Sequence, residues 1–118
     1  MEKETKNLND EFKDYYGTQN YYRHWSGNTY TDGVKAMAEK FKAYWLIDVV
    51  FSYQTGKAKL IPFQIWEINS KENKATVIMK EDTNEPILVK QEIKFTDFPV
   101  GTFKMYFINK VLLLPSEY

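Results

Sequence analysis

The stretch TDGVKAMAEKFKAYWLIDVVFSYQTGKAKLIPFQIWEI, residues 31–68, decides the fold, because the period of its hydrophobic pattern changes along it. Its first part places apolar residues at the spacing i, i+3, i+4, i+7, at Val34, Met37, Ala38 and Phe41. This spacing marks one buried face of a helix. From Leu60 onward, β-branched and aromatic residues typical of strands take over. Helices followed by strands predict an α+β fold.

Two helical segments are at issue in this stretch. Thr31 predicts an N-cap, and Asp32 follows in the first turn, where a negative charge suits the helix dipole. The next segment, Tyr44–Tyr53, is apolar almost all round, with Asp48 as its only charge. Periodicity leaves helix and strand both open for this segment, and its β-branched and aromatic content favours a strand.

Downstream, five segments have strand character: 60–68, 75–80, 87–95, 103–108 and 111–114. Alternation of apolar and polar residues over 87–95 predicts a strand covered on one face. The links are short, which favours antiparallel neighbours. Asn109-Lys110 predicts a tight two-residue hairpin turn, since asparagine tolerates positive φ.

Upstream, Asn9 or Asp10 predicts the cap of a short helix that runs to about Tyr16. Residues 17–30 predict an ordered aromatic loop with one helical turn at 20–25. The whole chain, 1–118, is predicted to be a single domain with a mainly helical half (10–56) and an antiparallel sheet half (60–115). The expected architecture is N-terminal helices packed on one face of a four- to five-stranded antiparallel sheet meander.

Composition excludes several classes of protein. The 118 residues include no cysteine and one histidine, which excludes thiolate chemistry and argues against a structural zinc site, so we expect no metal and no cofactor. Sixteen basic and sixteen acidic residues give zero net charge, without the basic footprint of most nucleic-acid binders. The polar N-terminus and the lack of a long apolar stretch predict a cytoplasmic protein with no membrane contact.

The candidate acid–base residues cluster in one half of the chain. His24 lies beside the only arginine, Arg23, and Asp48 lies in an apolar run, where a carboxylate needs a partner. Arg23 and His24 are the expected partners. A structural bridge is the favoured interpretation, with His24 and Asp48 as an acid–base pair the catalytic alternative. We assign no catalytic residue, because the sequence has no nucleophile, phosphate-loop or metal-ligand motif beside them.

Aromatic residues supply the binding candidates. They make up 17% of the chain, and nine of them are tyrosines, which combine a large apolar body with a polar tip. The predicted binding residues are Tyr21, Tyr22, Arg23, Trp25, Tyr30, Trp66 and Tyr106. An outer sheet face that carried Trp66, Tyr106 and Ile108 would form an apolar patch of the kind that binds proteins. Lys94 and Lys104 nearby keep RNA binding on the sheet open.

One part of the sequence resembles a known family. The residues that carry the resemblance are Gly17-Thr18, Tyr22-Arg23-His24, Tyr30-Thr31-Asp32-Gly33-Val34 and Ala43-Tyr44-Trp45-Leu46-Ile47-Asp48. They resemble the uncharacterised DUF6876-type domain family, which occurs in bacteria, often with phages and mobile elements. The resemblance favours a helix over 44–53. It implies an accessory protein of mobile elements and supplies no catalytic residues.

These observations predict a non-enzymatic protein-binding module encoded by a phage or mobile element. The expected role is inhibition of host defence, such as that of an anti-CRISPR protein that binds the effector or its ribonucleoprotein. One alternative is a small hydrolase or nuclease-like enzyme that uses His24 and Asp48. Another is a sheet-based RNA-binding protein. The expected partner is a protein or ribonucleoprotein, direct RNA contact stays open, and monomer and homodimer are both compatible with the sequence.

Overall fold

The structure, a computed structural model, describes residues 6–56 and 58–118. Within these ranges the α-helices are α1 (Asp32–Lys40) and α2 (Tyr44–Ser52), and short 3-10 turns cover Leu8–Phe12, Ala58–Leu60 and Pro115–Glu117. The strands are β1 (Tyr21–Arg23), β2 (Thr29–Thr31), β3 (Phe63–Lys71), β4 (Lys74–Lys80), β5 (Val89–Ile93), β6 (Gly101–Ile108) and β7 (Val111–Leu113).

The seven strands form one sheet in the order β1-β2-β7-β6-β3-β4-β5. All neighbours are antiparallel except β2 and β7, which are parallel. The α+β class is confirmed, but the meander of four to five antiparallel strands is wrong. β6 pairs with β3 rather than with β5, and the N-terminal half adds two strands, so the helices follow β1 and β2. The pairing of β3 with β6 is favoured because both strands bury large apolar side chains on the same face.

The two α-helices cover one face of the sheet. The Thr31 hydroxyl accepts a hydrogen bond from the Val34 N–H (3.4 Å), which confirms the N-cap. The predicted face of α1 is buried. Residues 44–52 form a helix, as the resemblance favoured, and α2 buries a second apolar face at Leu46, Ile47, Val50 and Phe51. These faces pack against the inner side of β3, β4 and β6 to form the core.

The N-terminal segment differs from its prediction. The expected helix from Asn9 or Asp10 to Tyr16 is wrong, since a 3-10 turn spans Leu8–Phe12 instead. The Asn9 side chain accepts a hydrogen bond from the Lys104 N–H (2.7 Å) and donates one to the Lys104 carbonyl (2.9 Å). These bonds satisfy the backbone N–H and C=O groups of Lys104, which lies in the part of β6 that extends beyond the short β7. Contact with β6 replaces the helix because this segment has few apolar residues at helical spacing.

The predicted helical turn at 20–25 is also wrong, because residues 21–31 form the β1–β2 hairpin. β2 joins the sheet through β7, and this long-range pairing is invisible to a local pattern. The Asn109-Lys110 turn is confirmed, with φ of 51° and 65°. Glu72 and Asn73 form a second such turn, with φ of 55° and 61°, so β3 runs to Lys71 rather than ending at Ile68.

Trp66 lies on the inner face of β3 and is fully buried, so the outer sheet face does not carry it. Its indole N–H donates to the Gln64 side-chain oxygen (2.8 Å). Gln64, also fully buried, exchanges hydrogen bonds with Gln54 (2.8 and 2.9 Å). Strand alternation then places Phe63 and Ile65 on the outer face, where Tyr106 and Ile108 of β6 also lie.

Candidate functional site

The β1–β2 hairpin forms one end of the sheet and contacts both α-helices. Alternation along β1 turns Tyr22 and His24 toward the helices, where Tyr22 is half-buried, and leaves Tyr21 and Arg23 exposed on the other side. Two carboxylates, Asp32 at the start of α1 and Asp48 in the middle of α2, receive the inward-facing side chains.

Asp32 ties the hairpin to α1. Its carboxylate accepts the backbone N–H groups of Gln19 (3.0 Å) and Asn20 (3.3 Å) and the hydroxyl of Tyr22 (2.9 Å). These bonds, led by the one from Gln19, lower the pKa of Asp32 to about 2. Donation to Asp32 raises the pKa of Tyr22. The Asp32 backbone N–H also donates to the Thr18 hydroxyl (3.0 Å). Asp32 therefore holds Thr18 through its backbone and residues 19–22 through its carboxylate.

Asp48 ties the hairpin to α2 through His24. The His24 Nε2 lies 2.7 Å from the Asp48 carboxylate. The Ser26 backbone N–H donates to His24 Nδ1 (3.1 Å), so Nδ1 carries a lone pair and the proton resides on Nε2. The imidazole packs edge-to-face on Phe51, with ring centroids 4.8 Å apart. The His24 side chain is only 8% exposed.

Although Asp48 lies in an apolar run of the sequence, it is not buried, because its side chain is 61% exposed. The helix turns Tyr44, Asp48 and Ser52, spaced four residues apart, onto one water-facing stripe. Asp48 therefore needs no partner to offset burial. Arg23 does not pair with it, since strand alternation turns Arg23 away from the helices.

Ser26 was missed by the sequence analysis, although a serine two residues after the histidine in a turn was the available signal. Its hydroxyl lies 2.8 Å from His24 Nδ1, so Ser26, His24 and Asp48 have the composition of an acyl-transfer triad. Catalysis would require Nδ1 to take up a proton. The Ser26 N–H points at that same nitrogen and opposes the uptake. The Asn28 side chain also donates to the Ser26 hydroxyl (3.1 Å), so these contacts fit a stabilised turn better than an activated nucleophile.

Trp25 stands at the tip of the hairpin and is 89% exposed. Its ring lies against that of His24, with centroids 5.0 Å apart and a 33° angle between planes. His24 is itself held by Asp48 and Phe51. The exposed indole therefore rests on a base that packing and hydrogen bonds fix in place.

Further aromatic residues continue this surface onto the helices. Tyr22 and Tyr30 stack with centroids 5.6 Å apart. Burial, and then the negative charges of Asp48 and Glu39, raises the pKa of Tyr30. The Tyr44 hydroxyl, missed by the sequence analysis, donates to Glu39 (3.3 Å). We call this set the hairpin–helix surface: Tyr22, Trp25, Tyr30, Glu39, Tyr44 and Asp48. A cleft of about 730 Å³ between residues 14–20 and α1 adjoins it.

The predicted binding residues do not form one site. Tyr21, Tyr22, Arg23, Trp25 and Tyr30 all belong to the hairpin, on its two sides. Trp66 belongs to the core. Tyr106 lies on the outer sheet face with Phe63 and Tyr118, at centroid distances of 5.1 and 5.7 Å. The structure therefore offers two separate aromatic surfaces.

Across residues 6–56 and 58–118, no three His, Cys, Asp or Glu side chains are grouped so as to hold a metal ion. Over the same ranges, neither α-helix has the length and apolar character needed to cross a membrane.

The residues that carry the sequence resemblance are partners of one another in the structure. Thr18 and Tyr22 bond to the Asp32 residue, and His24 bonds to Asp48. The same pattern therefore describes the attachment of the hairpin to both helices.

Comparison with known proteins identifies a family and a similar fold. A family described as a family of unknown function, DUF6876, matches residues 6–118. No curated protein matches the chain. A crystal structure of a protein of unknown function from Enterococcus faecalis is similar, with 16% identity and a TM-score of 0.56, over 85% of this chain and 92% of that one. That similarity shows a shared fold. Because the family match extends over nearly the whole length, the chain belongs to the DUF6876 family.

Proposed function

We propose that this protein is a non-enzymatic protein-binding module that docks through its hairpin–helix surface. The observation that carries the proposal is Trp25, 89% exposed at the hairpin tip yet held against His24. Tryptophan and tyrosine are enriched among the residues that dominate binding energy at protein interfaces. Burial of this indole against a partner surface would remove apolar area from water, which favours association.

The fixed position of Trp25 favours binding. A side chain that must be ordered on association loses conformational freedom, which weakens the complex. Here the His24 ring, locked between Asp48 and Phe51, orders the indole before a partner arrives. Rigid aromatic side chains of this kind give large contact area at low entropic cost.

The charge of the surface indicates the chemistry of the partner. Glu39 and Asp48 lie exposed beside Tyr44 and Tyr30. Lys35 places its ammonium 4.4 Å from the centre of the Tyr22 ring and 3.7 Å from the Glu39 carboxylate, so one lysine already contacts both kinds of group on this surface. A partner that presents lysine or arginine side chains complements both the carboxylates and the aromatic rings.

A basic partner surface of this kind is also what a nucleic-acid-binding complex presents. The resemblance to proteins of phages and mobile elements supports inhibition of host defence as the biological role. The protein would then act as an anti-CRISPR protein does, by covering such a surface on the effector or its ribonucleoprotein.

The test compares the two aromatic surfaces. Tagged wild-type protein is used to capture partners from a bacterial host, with bound protein and bound RNA analysed separately. We expect one stoichiometric protein or ribonucleoprotein, lost with Trp25→Ala and with Tyr44→Ala. Tyr118→Ala is the matched control, because Tyr118 is also exposed but lies on the outer sheet face. Plaque formation by phage on a CRISPR-immune host should be restored by wild type and by Tyr118→Ala, but not by Trp25→Ala or Tyr44→Ala.

Loss of capture with Tyr118→Ala and retention with Trp25→Ala would overturn the proposal. Circular dichroism and thermal unfolding establish that each variant folds. Since each of these side chains lies at the surface, the substitutions are expected to change stability little.

One observation supports sheet-based RNA binding as a second candidate function. Phe63, Tyr106 and Tyr118 cluster on the sheet face opposite the α-helices, and Lys104 lies on the same face. Aromatic side chains on an open sheet stack on unpaired bases. If RNA is the partner, Tyr106→Ala should reduce RNA retention while Trp25→Ala leaves it unchanged, and binding should weaken as salt rises.

A further inference from the structure

We propose that two copies of this chain pair edge to edge through β5, forming a homodimer with one continuous sheet. β5 ends the strand order, and β4 is its neighbour among the described strands. The backbone N–H and C=O groups along its other edge therefore have no strand beside them. Such an edge is a template for pairing with another chain.

The sequence of β5 is complementary to itself. An antiparallel pairing centred on Gln91 places Lys90 opposite the partner's Glu92, and Glu92 opposite the partner's Lys90. The same register places Val89 opposite the partner's Ile93. Opposite charges and apolar pairs at facing positions both stabilise antiparallel strands. A two-fold interface requires such self-complementarity, because one surface meets its own copy.

The faces of the two sheets also agree. Val89 and Ile93 pack on the core side, whereas Lys90 and Glu92 are exposed on the other. A two-fold axis perpendicular to the sheet keeps each side chain on its own side. The helices of both copies then lie on one face of the continuous sheet, and both charge pairs lie on the other.

Two exposed apolar residues flank β5 symmetrically. Ile87 is 48% exposed and Phe95 is 71% exposed. Each lies four positions from Gln91, on either side, so the axis carries Ile87 toward the partner's Phe95. Association would thereby shield side chains that a monomer leaves in water.

Lysines commonly guard free edges against pairing, and Lys90 on its own would act in that way. Within one chain, however, Lys90 lies 3.7 Å from Glu92, and the five residues of β5 include no proline. In the dimer, the contact between Lys90 and Glu92 of one chain is replaced by two pairs between the chains, each joining Lys90 of one copy to Glu92 of the other. β1, with the Trp25 hairpin, ends the sheet on its opposite side, so the dimer leaves the hairpin–helix surface free.

The experiment is sedimentation velocity across a concentration series, with charge-reversed variants. We expect wild type to dimerise reversibly, and Lys90→Glu and Glu92→Lys each to weaken dimerisation about tenfold, since each creates two like-charge facing pairs. An equimolar mixture of the two single variants should associate as wild type does, because each supplies the charge that the other needs. The double variant K90E/E92K should also recover dimerisation.

Lys71→Glu is the control, because it makes the same charge change at the end of β3, away from β5. It should leave dimerisation unchanged, and all variants should keep the wild-type thermal midpoint at a concentration at which the wild type is monomeric. A wild type that stays monomeric throughout, as it would if this edge served an extended segment of another protein, overturns the proposal. Single variants that dimerise like wild type, or a mixture that fails to recover, also overturn it.

Discussion

The centre of the sheet and the β1–β2 hairpin are built on different principles. β3 and β6 are nine and eight residues long and bury Trp66, Phe103 and Met105 against the helices. β1 and β2 have three residues each and are held by hydrogen bonds to Asp32 and Asp48. The centre hides its largest aromatic side chain, whereas the hairpin presents Trp25 to water. Stability therefore resides in the centre of the sheet, and the hairpin is the region through which we propose that the protein binds its partner.

The physical reason is that burial and hydrogen bonding respond differently to change. Apolar burial contributes in proportion to area, about 25 cal/mol per Å², and tolerates no cavity. A typical hydrogen bond contributes about 1 kcal/mol net, since water competes for each partner. A region held by a few exposed polar contacts can therefore be loosened without unfolding the domain.

The largest effect is expected from Trp66→Ala, at the centre. The side chain is fully buried, so its removal leaves a cavity and takes away the N–H that donates to Gln64. We expect the free energy of unfolding to fall by about 3–5 kcal/mol, measured by urea denaturation. Tyr106→Ala, half-buried on the other face of the neighbouring strand, should cost clearly less. Equal costs would show that the centre is not the more stable region.

An intermediate, pH-dependent effect is expected from Asp32→Asn, where the hairpin meets α1. The pKa of Asp32 is lowered from 3.8 to about 2, so the ionised carboxylate is more stable in the folded state than in the unfolded state. This contribution is fully present above the ordinary value and is lost as pH falls from about 4 to about 2. Thermal midpoints should therefore differ by a few degrees at pH 7 and converge near pH 2. A difference that stays constant with pH would contradict the assignment.

The smallest effect on stability is expected from Asp48→Ala, where the hairpin meets α2. Its carboxylate is largely exposed, so the free energy of unfolding should change by less than about 1 kcal/mol. The hairpin should nevertheless loosen, with faster hydrogen exchange at the amides of 21–31 and weaker partner capture. Glu39→Gln, another exposed carboxylate on the same surface, should leave hairpin exchange unchanged. Hydrogen exchange at the wild-type rate in Asp48→Ala would show that the hairpin does not depend on the hydrogen bond between His24 and Asp48.

Local patterns predicted the elements whose stability is local. Thr31 and the i, i+3, i+4, i+7 spacing identified α1, because a cap and one apolar face suffice to define a helix. The five downstream strand segments were located by β-branched and aromatic content and by their turns. At the site, the sequence pointed to His24 and Asp48 as partners, and the structure joins them at 2.7 Å.

By itself, then, the sequence determined an α+β chain, its first long helix, its later strands and the aromatic character of residues 21–30. Only the tertiary structure decided that β6 pairs with β3, that β2 runs parallel to β7, and that Trp66 faces inward while Asp48 faces water. Each of these depends on which distant segment supplies the neighbouring surface. Alternation within a strand or rotation within a helix says which side chains share a face, but packing with the rest of the chain decides which face is buried.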